Sequence, residues 1–298
     1  MPSFATDAQM TQPPVPQLWA GDSGAFWRQR VDSRPIDQAR TAALAQWDMA
    51  VGFPGGTRWQ GAVYGQPIQI IPANAPRTPV LDDRRPFWDV ITGKADVMLP
   101  LPPVIRREAD PTCPFDKHWR ATDGLSLFEA WVLRPKAWPF TGFACSDWAI
   151  WDLSRPWNAP GQPRGVVAAA FPHAPLVLTV EDCLSRPLDK ALFLGLPDYS
   201  NAGPVGPARG TDGTLAAHPL RAGERLLLRS GALDRVRQQA GATSPAANLA
   251  MGLATHGLVL GDKTGSVAAV TMTQDQRWPQ LLGPGLGLRL TDFVVLVP

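Results

Sequence analysis

The sequence predicts a mostly-β protein, a β-sandwich or jelly roll with two or three short helices and an extended N-terminal arm. Three observations predict it. Pro reaches 32 and Gly 27 of the 298 residues, while charged residues make up only 18%, a bias toward turns over long helices. Short apolar runs alternate with turn residues along most of the chain. The 45% hydrophobic content suffices for a large core, in one big β domain or two smaller units.

In chain order, residues 1–35 read as an arm rich in Pro and Gln, anchored by Leu18, Trp19, Phe26 and Trp27. Isolated apolar anchors on such an arm call for a partner surface, so these four are the expected assembly residues. Residues 36–94 read as a helix plus irregular β segment. Ser33 is placed to cap the helix and Pro35 suits its first turn. Ile36, Ala39, Ala43, Leu44 and Trp47 share a face until Gly52. Short strands follow at Ala62 to Tyr64, Ile68 to Ile71 and Val97 to Leu99.

Residues 95–298 read as the sandwich domain. Leu125, Leu127, Glu129 and Trp131 fall on one side of a strand and Ser126, Phe128, Ala130 and Val132 on the other, so both faces are expected to be partly covered. Further strands are expected at Asp147 to Leu153, Gly165 to Ala170, Lys190 to Leu196, Glu224 to Arg229, Val267 to Met272 and Leu290 to Val297. Thr179 is placed to cap a helical start at Glu181 and Asp182. A second helix is capped by Ser244, begins at Pro245, faces Leu249 and Leu253 inward and stops at Gly257. The strand Leu258 to Leu260 then enters a turn, Gly261 to Gly265, that reads as closing a hairpin.

Composition excludes several classes. Net charge is +2, from 28 basic and 26 acidic residues without long runs, so no face is built to neutralise a nucleic-acid backbone. No apolar run approaches the roughly 20 residues of a membrane-spanning helix. The first thirty residues lack a basic start followed by an apolar stretch, so no secretory signal is expected. Cys113, Cys145 and Cys183 match no zinc spacing and read as buried thiols.

The second half carries an ordered set of short motifs: Asp189-Lys190-Ala191-Leu192-Phe193, Gly210-Thr211-Asp212-Gly213, Gly223-Glu224-Arg225-Leu226 and His256-Gly257-Leu258-Val259-Leu260-Gly261-Asp262. Upstream lie Thr122-Asp123-Gly124 and Trp148-Ala149-Ile150-Trp151-Asp152-Leu153. Over roughly residues 95 to 298 this order resembles a group of jelly-roll-like β proteins found among tailed-phage minor tail proteins and secreted actinobacterial proteins. Leu125 and Lys190 stand where that group carries histidines, so no role of those histidines transfers. The resemblance implies a virion or cell-surface protein rather than a metabolic enzyme, and the missing signal favours the virion: a structural protein assembled in the host cytoplasm as a minor tail or tail-tip component. Its implied partners are other virion subunits, in a homo- or hetero-oligomer, and host surface glycan. The alternatives are a carbohydrate-binding or carbohydrate-active jelly roll and a capsid decoration protein.

No catalytic constellation is legible. The four histidines, His118, His173, His218 and His256, show no metal-ligand spacing and adjoin no nucleophile pattern, so neither metal nor cofactor is expected. Glycoside hydrolysis needs paired carboxylates. Asp147 and Asp152 point to opposite faces, and Asp123 and Glu129 are separated by roughly 20 Å of strand. Twelve tryptophans are many for this length, and rings with one polar N–H serve cores and binding platforms alike. His118 and Trp119, in a polar loop, and Trp138 and Trp157, in Pro-rich loops, are the expected exposed binding residues.

Overall fold

The computed structural model describes residues 22–53, 65–82, 96–107, 117–136, 142–265, 267–283 and 286–298, with the short pieces 3–4, 14–15, 18–19, 58–59 and 62–63. Trp138 and Cys113 lie outside the described residues. In chain order the strands are β1 (Ser3–Phe4), β2 (Val51–Gly52), β3 (Arg58–Trp59), β4 (Ala62–Val63), β5 (Ile68–Ile70), β6 (Thr78–Asp82), β7 (Val97–Leu99), β8 (Val104–Ile105) and β9 (Trp119–Thr122). They continue with β10 (Ser126–Trp131), β11 (Arg134–Pro135), β12 (Phe143–Cys145), β13 (Asp147–Asp152), β14 (Leu192–Leu196), β15 (Arg225–Leu228), β16 (Leu258–Lys263), β17 (Ala268–Val270) and β18 (Phe293–Val295). The helices are α1 (Gln38–Ala43), α2 (Ser230–Ala240), α3 (Pro245–Leu253) and α4 (Trp278–Leu282). The protein is mostly β, as the turn-rich composition requires.

Three sheets carry the fold: a six-stranded one ordered β18-β15-β16-β14-β17-β2, and two four-stranded ones ordered β13-β10-β9-β5 and β11-β12-β6-β7. Strands from residues 36–94 share all three with strands from the later segment. The sheets are mixed, since β14 runs parallel to β16, β5 to β9 and β12 to β6.

Alternation along β10 explains how the layers join. Leu127 faces the main core together with Ala149 and Trp151, whereas Phe128 and Ala130 face a second core with Trp119, Ala121, Val80 and Leu99. A strand buried on both faces reads as a near-continuous apolar run, and Ser126–Trp131 does so apart from Glu129.

Several elements depart from expectation. The first helix is shorter, because Ile36 bridges Leu296 and the Asp37 N–H donates to the Val295 carbonyl, which holds that backbone extended. Asp37, and not Ser33, caps α1 by accepting the Arg40 N–H at 3.0 Å. The expected strand at Gly165 to Ala170 is a set of buried turns. Its backbone bonds are scattered, from Ala169 N–H to Gly261 and from Arg209 N–H to Ala169, and Ala170 is left-handed at φ +59°. Apolar periodicity does not separate such a segment from a strand. The expected hairpin at Gly261 to Gly265 is absent, since β14 lies between β16 and β17. α2, which buries Ala232 and Val236 at i,i+4, and α4 were not anticipated. α3 forms as read: Ser244 accepts the Ala247 N–H, Leu249 and Leu253 are buried, and Gly257 sits at φ +73°.

The arm residues require a correction. Leu18, Trp19, Phe26 and Trp27 are buried in the chain's own main core, not presented to a partner. Trp19 and Trp27 ring centroids lie 5.4 Å apart, Trp19 meets Trp151 at 5.9 Å, and Phe26 meets Trp157 at 5.0 Å. The backbone is tied in as well, with Ala191 N–H donating to the Trp27 carbonyl at 2.6 Å. Large rings that find an intramolecular groove gain their full burial there.

Candidate functional site

A buried polar assembly lies where the β13-β10-β9-β5 sheet meets the six-stranded sheet. Arg120 on β9 is the cross-strand partner of Glu129 on β10, and both are fully buried. Glu129 Oε1 accepts the backbone N–H groups of His173 and Ala174, each at 2.9 Å, and Oε2 accepts the Trp151 indole N–H at 3.0 Å. Burial raises the Glu129 pKa, while the Arg120 charge and these donors work against the rise.

Arg120 donates to Nδ1 of His173. A guanidinium only donates, so Nδ1 carries the lone pair, and the ring proton sits on Nε2, 3.3 Å from Thr271 Oγ1. The His118 ring stands edge-on to His173 at 5.7 Å, and Phe193 of β14 packs on His173 at 4.1 Å. Phe193 fits there because Gly261 on the neighbouring β16 offers no Cβ against its ring. Burial, then the Arg120 charge, holds both imidazoles well below their usual pKa, and each ring adds to the other only in the case of His173. Both are neutral at pH 7, and a base this weak is far from the near-neutral pKa that suits proton transfer.

A cavity of about 100 Å³ opens beside the two rings, lined also by Gln66, Asp262, Lys263 and Thr271. Behind Asp262, at the end of β16, lies a second polar group. Tyr199 donates its hydroxyl to Asp212, and the Asp212 carboxyl is hydrogen-bonded to Asp262. Burial raises the Asp212 pKa, so this carboxyl pair retains a proton more readily than an exposed one. Asp198 accepts from Thr214 and lies 3.6 Å from Lys263 Nζ. Asp262 is not among the charges that shift either histidine. The cavity therefore combines neutral imidazoles with Lys263 and with Asp262, whose carboxyl shares a hydrogen bond with Asp212.

The binding residues expected from sequence fall elsewhere than expected. His118 lies just before β9 and is buried, not exposed. Trp119 is a core residue of β9, its indole N–H held by Gln69 Oε1 at 2.9 Å. Trp157 does lie in a Pro-rich loop, but Phe26, Trp27 and the Arg209 guanidinium at 5.1 Å cover it. Apolar ring area decided these positions against the polar composition around them. Arg120, Glu129 and His173 were not singled out as a group. The one signal available was a lone carboxylate amid the apolar positions of β10, which demands a buried partner. Among the described residues, no group of three or more His, Cys, Asp or Glu side chains is arranged to hold a metal ion.

Compared with protein-family models, with curated proteins and with solved structures, the chain matches none. No helix of the described residues is long and apolar enough to cross a membrane.

Proposed function

We propose that this chain is a structural component of a tailed-phage particle, a minor tail or tail-tip protein that docks to neighbouring subunits and touches host surface glycan. A jelly-roll-like layering of its sheets belongs to that reading. The ordered motifs Asp189 to Phe193, Gly223 to Leu226 and His256 to Asp262 supply the adjacent strands β14, β15 and β16, so the segments that carry the resemblance form one structural unit.

The observation that carries the docking role is an apolar outer surface. Pro79 and Met98 are cross-strand neighbours on β6 and β7, with Leu81 on the same face, and all three are exposed. Ile70 and Val104 are exposed as well, near the point where the Gln69 side chain bonds the Val104 carbonyl. Exposed apolar neighbours on one sheet face, as Pro79, Met98 and Leu81 are, mark an association surface. With the arm buried in its own core, this face takes over the docking role.

The test is immunogold labelling of purified phage particles with antibody to the recombinant chain. Label at the tail end is expected, and particles without the chain overturn the proposal. Met98→Asp with Leu81→Asp, on a face that supports no core, is expected to leave melting unchanged and to abolish incorporation. Full incorporation of that variant removes the docking face.

A further inference from the structure

A carboxylate only accepts hydrogen bonds, so two carboxyls bonded to each other hold one proton between them. Asp212 and Asp262 are such a pair. Asp262 lies on β16, whereas Asp212 belongs to an irregular stretch, residues 210–214, that ends at the bridge between Ser200 and Leu215. Both ends of this stretch are anchored without the pair. Arg209 N–H donates to the Ala169 carbonyl at 2.9 Å, Leu215 N–H to the Tyr199 carbonyl at 3.0 Å, and Thr214 N–H to Asp198 Oδ1 at 2.9 Å. Between these anchors the Asp212 side chain ties the stretch to β16 through Asp262, with Tyr199 donating its hydroxyl to Asp212.

The charges around the pair set what happens when its proton leaves. Lys263, next along β16, is the cation acting on Asp212, and its Nζ also lies 3.6 Å from Asp198 Oδ2, just beyond β14. Burial opposes ionisation of Asp198, but bonds from Thr214 and from the Tyr199 N–H, with the Lys263 charge, outweigh it. Burial, then the Asp212 charge, pushes the Tyr199 phenol up, so Tyr199 stays a donor. His218, held below its usual pKa by burial, interacts with the Asp198 charge. Arg164 lies beside Gly210 and donates to the Arg209 carbonyl at 3.0 Å. With the shared proton in place, the pair and Asp198 set two negative charges against the one ammonium. Without it there are three, two of them on side chains in contact, where like charges disfavour each other most. Burial raises the Asp212 pKa, so the proton leaves above the ordinary Asp value.

We propose that the Asp212–Asp262 pair is a proton-operated latch: protonated, it holds residues 210–214 on β16, and deprotonated, it releases that stretch between its two anchors. Asp262 and Lys263 also line the cavity beside His118 and His173, so the same proton sets the charge on that wall. A group whose folded pKa is raised stabilises the closed form in acid and loses that effect as pH rises through the folded value, so the latch opens toward alkaline pH. This inference is independent of the virion role, and either can fail alone.

The test is hydrogen–deuterium exchange of the full chain from pH 4 to 8, corrected for intrinsic exchange and read by mass spectrometry in peptides spanning residues 210–215. Protection there is expected to fall with rising pH, by up to about tenfold per pH unit, the slope of one linked proton. Peptides from β15 serve as the reference for the whole fold. Opening driven by the buried histidines has the opposite sign, since it grows toward acid. Asp262→Asn places a permanent amide donor opposite Asp212 and is expected to keep 210–215 protected across the range, with β15 unchanged. Tyr199→Phe leaves both carboxyls and is expected to keep the pH dependence. Flat protection of 210–215 in the unaltered chain, or protection that falls toward acid, overturns the latch. So does a pH dependence that survives in Asp262→Asn or disappears in Tyr199→Phe.

Discussion

Leu127 and Phe128 are consecutive residues on β10, both fully buried, and they belong to different hydrophobic cores. A strand puts successive side chains on opposite faces, so one peptide unit joins the layer against the six-stranded sheet to the layer against β6, β7 and β12. Truncation on either side opens a cavity in a separate layer. Leu127→Ala is expected to lower unfolding free energy by about 2–5 kcal/mol and Phe128→Ala by about 3–5 kcal/mol. Urea unfolding followed by circular dichroism checks both. A loss under about 1 kcal/mol for either residue contradicts the two-core assignment.

Trp27 tests where the arm belongs. Its ring sits against Trp19, Phe26 and Trp157, and the Trp27 carbonyl accepts the Ala191 N–H. Trp27→Ala is expected to destabilise by about 3–5 kcal/mol, equally in dilute and concentrated solution, because the lost contacts are intramolecular. A cost that appears only at high concentration points instead to a partner chain.

What sequence made legible follows interaction range. Alternation along Ser126–Trp131 and the Ser244 cap with the Gly257 stop are local patterns, and each is present. Sheet order was not legible, because β14 takes β16 as a parallel neighbour from more than sixty positions along the chain, and nothing in either segment encodes that choice. The polar assembly was half legible. Glu129 and Arg120 lie on adjacent strands, but His173 reaches Glu129 from a turn 44 residues away. Trp119 and Trp157 were misplaced because polar and Pro-rich surroundings describe the backbone path, whereas ring burial depends on what packs over it.

The thiols give an accessible check on burial. Burial, then the charges of Asp182 and Glu181, pushes the Cys183 thiol up to about 12, and Cys145 is equally hidden. The thiolate is the reactive form, so neither residue should react with iodoacetamide at pH 8 in the folded protein. Peptide mass spectrometry before and after denaturation measures this. Rapid native labelling of Cys183 rules out its burial beside Val180, whose carbonyl lies 3.6 Å from the sulfur.

Stability should fall as pH drops from 7 toward 5.5. His118 and His173 have folded pKa values well below 6.5, chiefly through burial and then through Arg120. The unfolded chain therefore takes up protons that the folded chain refuses. Their contribution is present above the unfolded pKa, near 6.5, and is lost as pH falls below it. Glu129 works in the opposite sense: its raised pKa gives stability below its unfolded value and loses it as pH rises through the folded one. Within this cluster two histidines against one glutamate leave a net loss toward acid, at most about 2.5 kcal/mol between pH 7 and 5.5; His218 and His256, also lowered by burial, add to it, and the raised Asp212 opposes it. Urea midpoints at the two values measure it, and replacing both rings, His118→Gln with His173→Gln, should reduce the acid loss. A midpoint that holds steady in the unaltered protein means these imidazoles are not buried neutral beside Arg120.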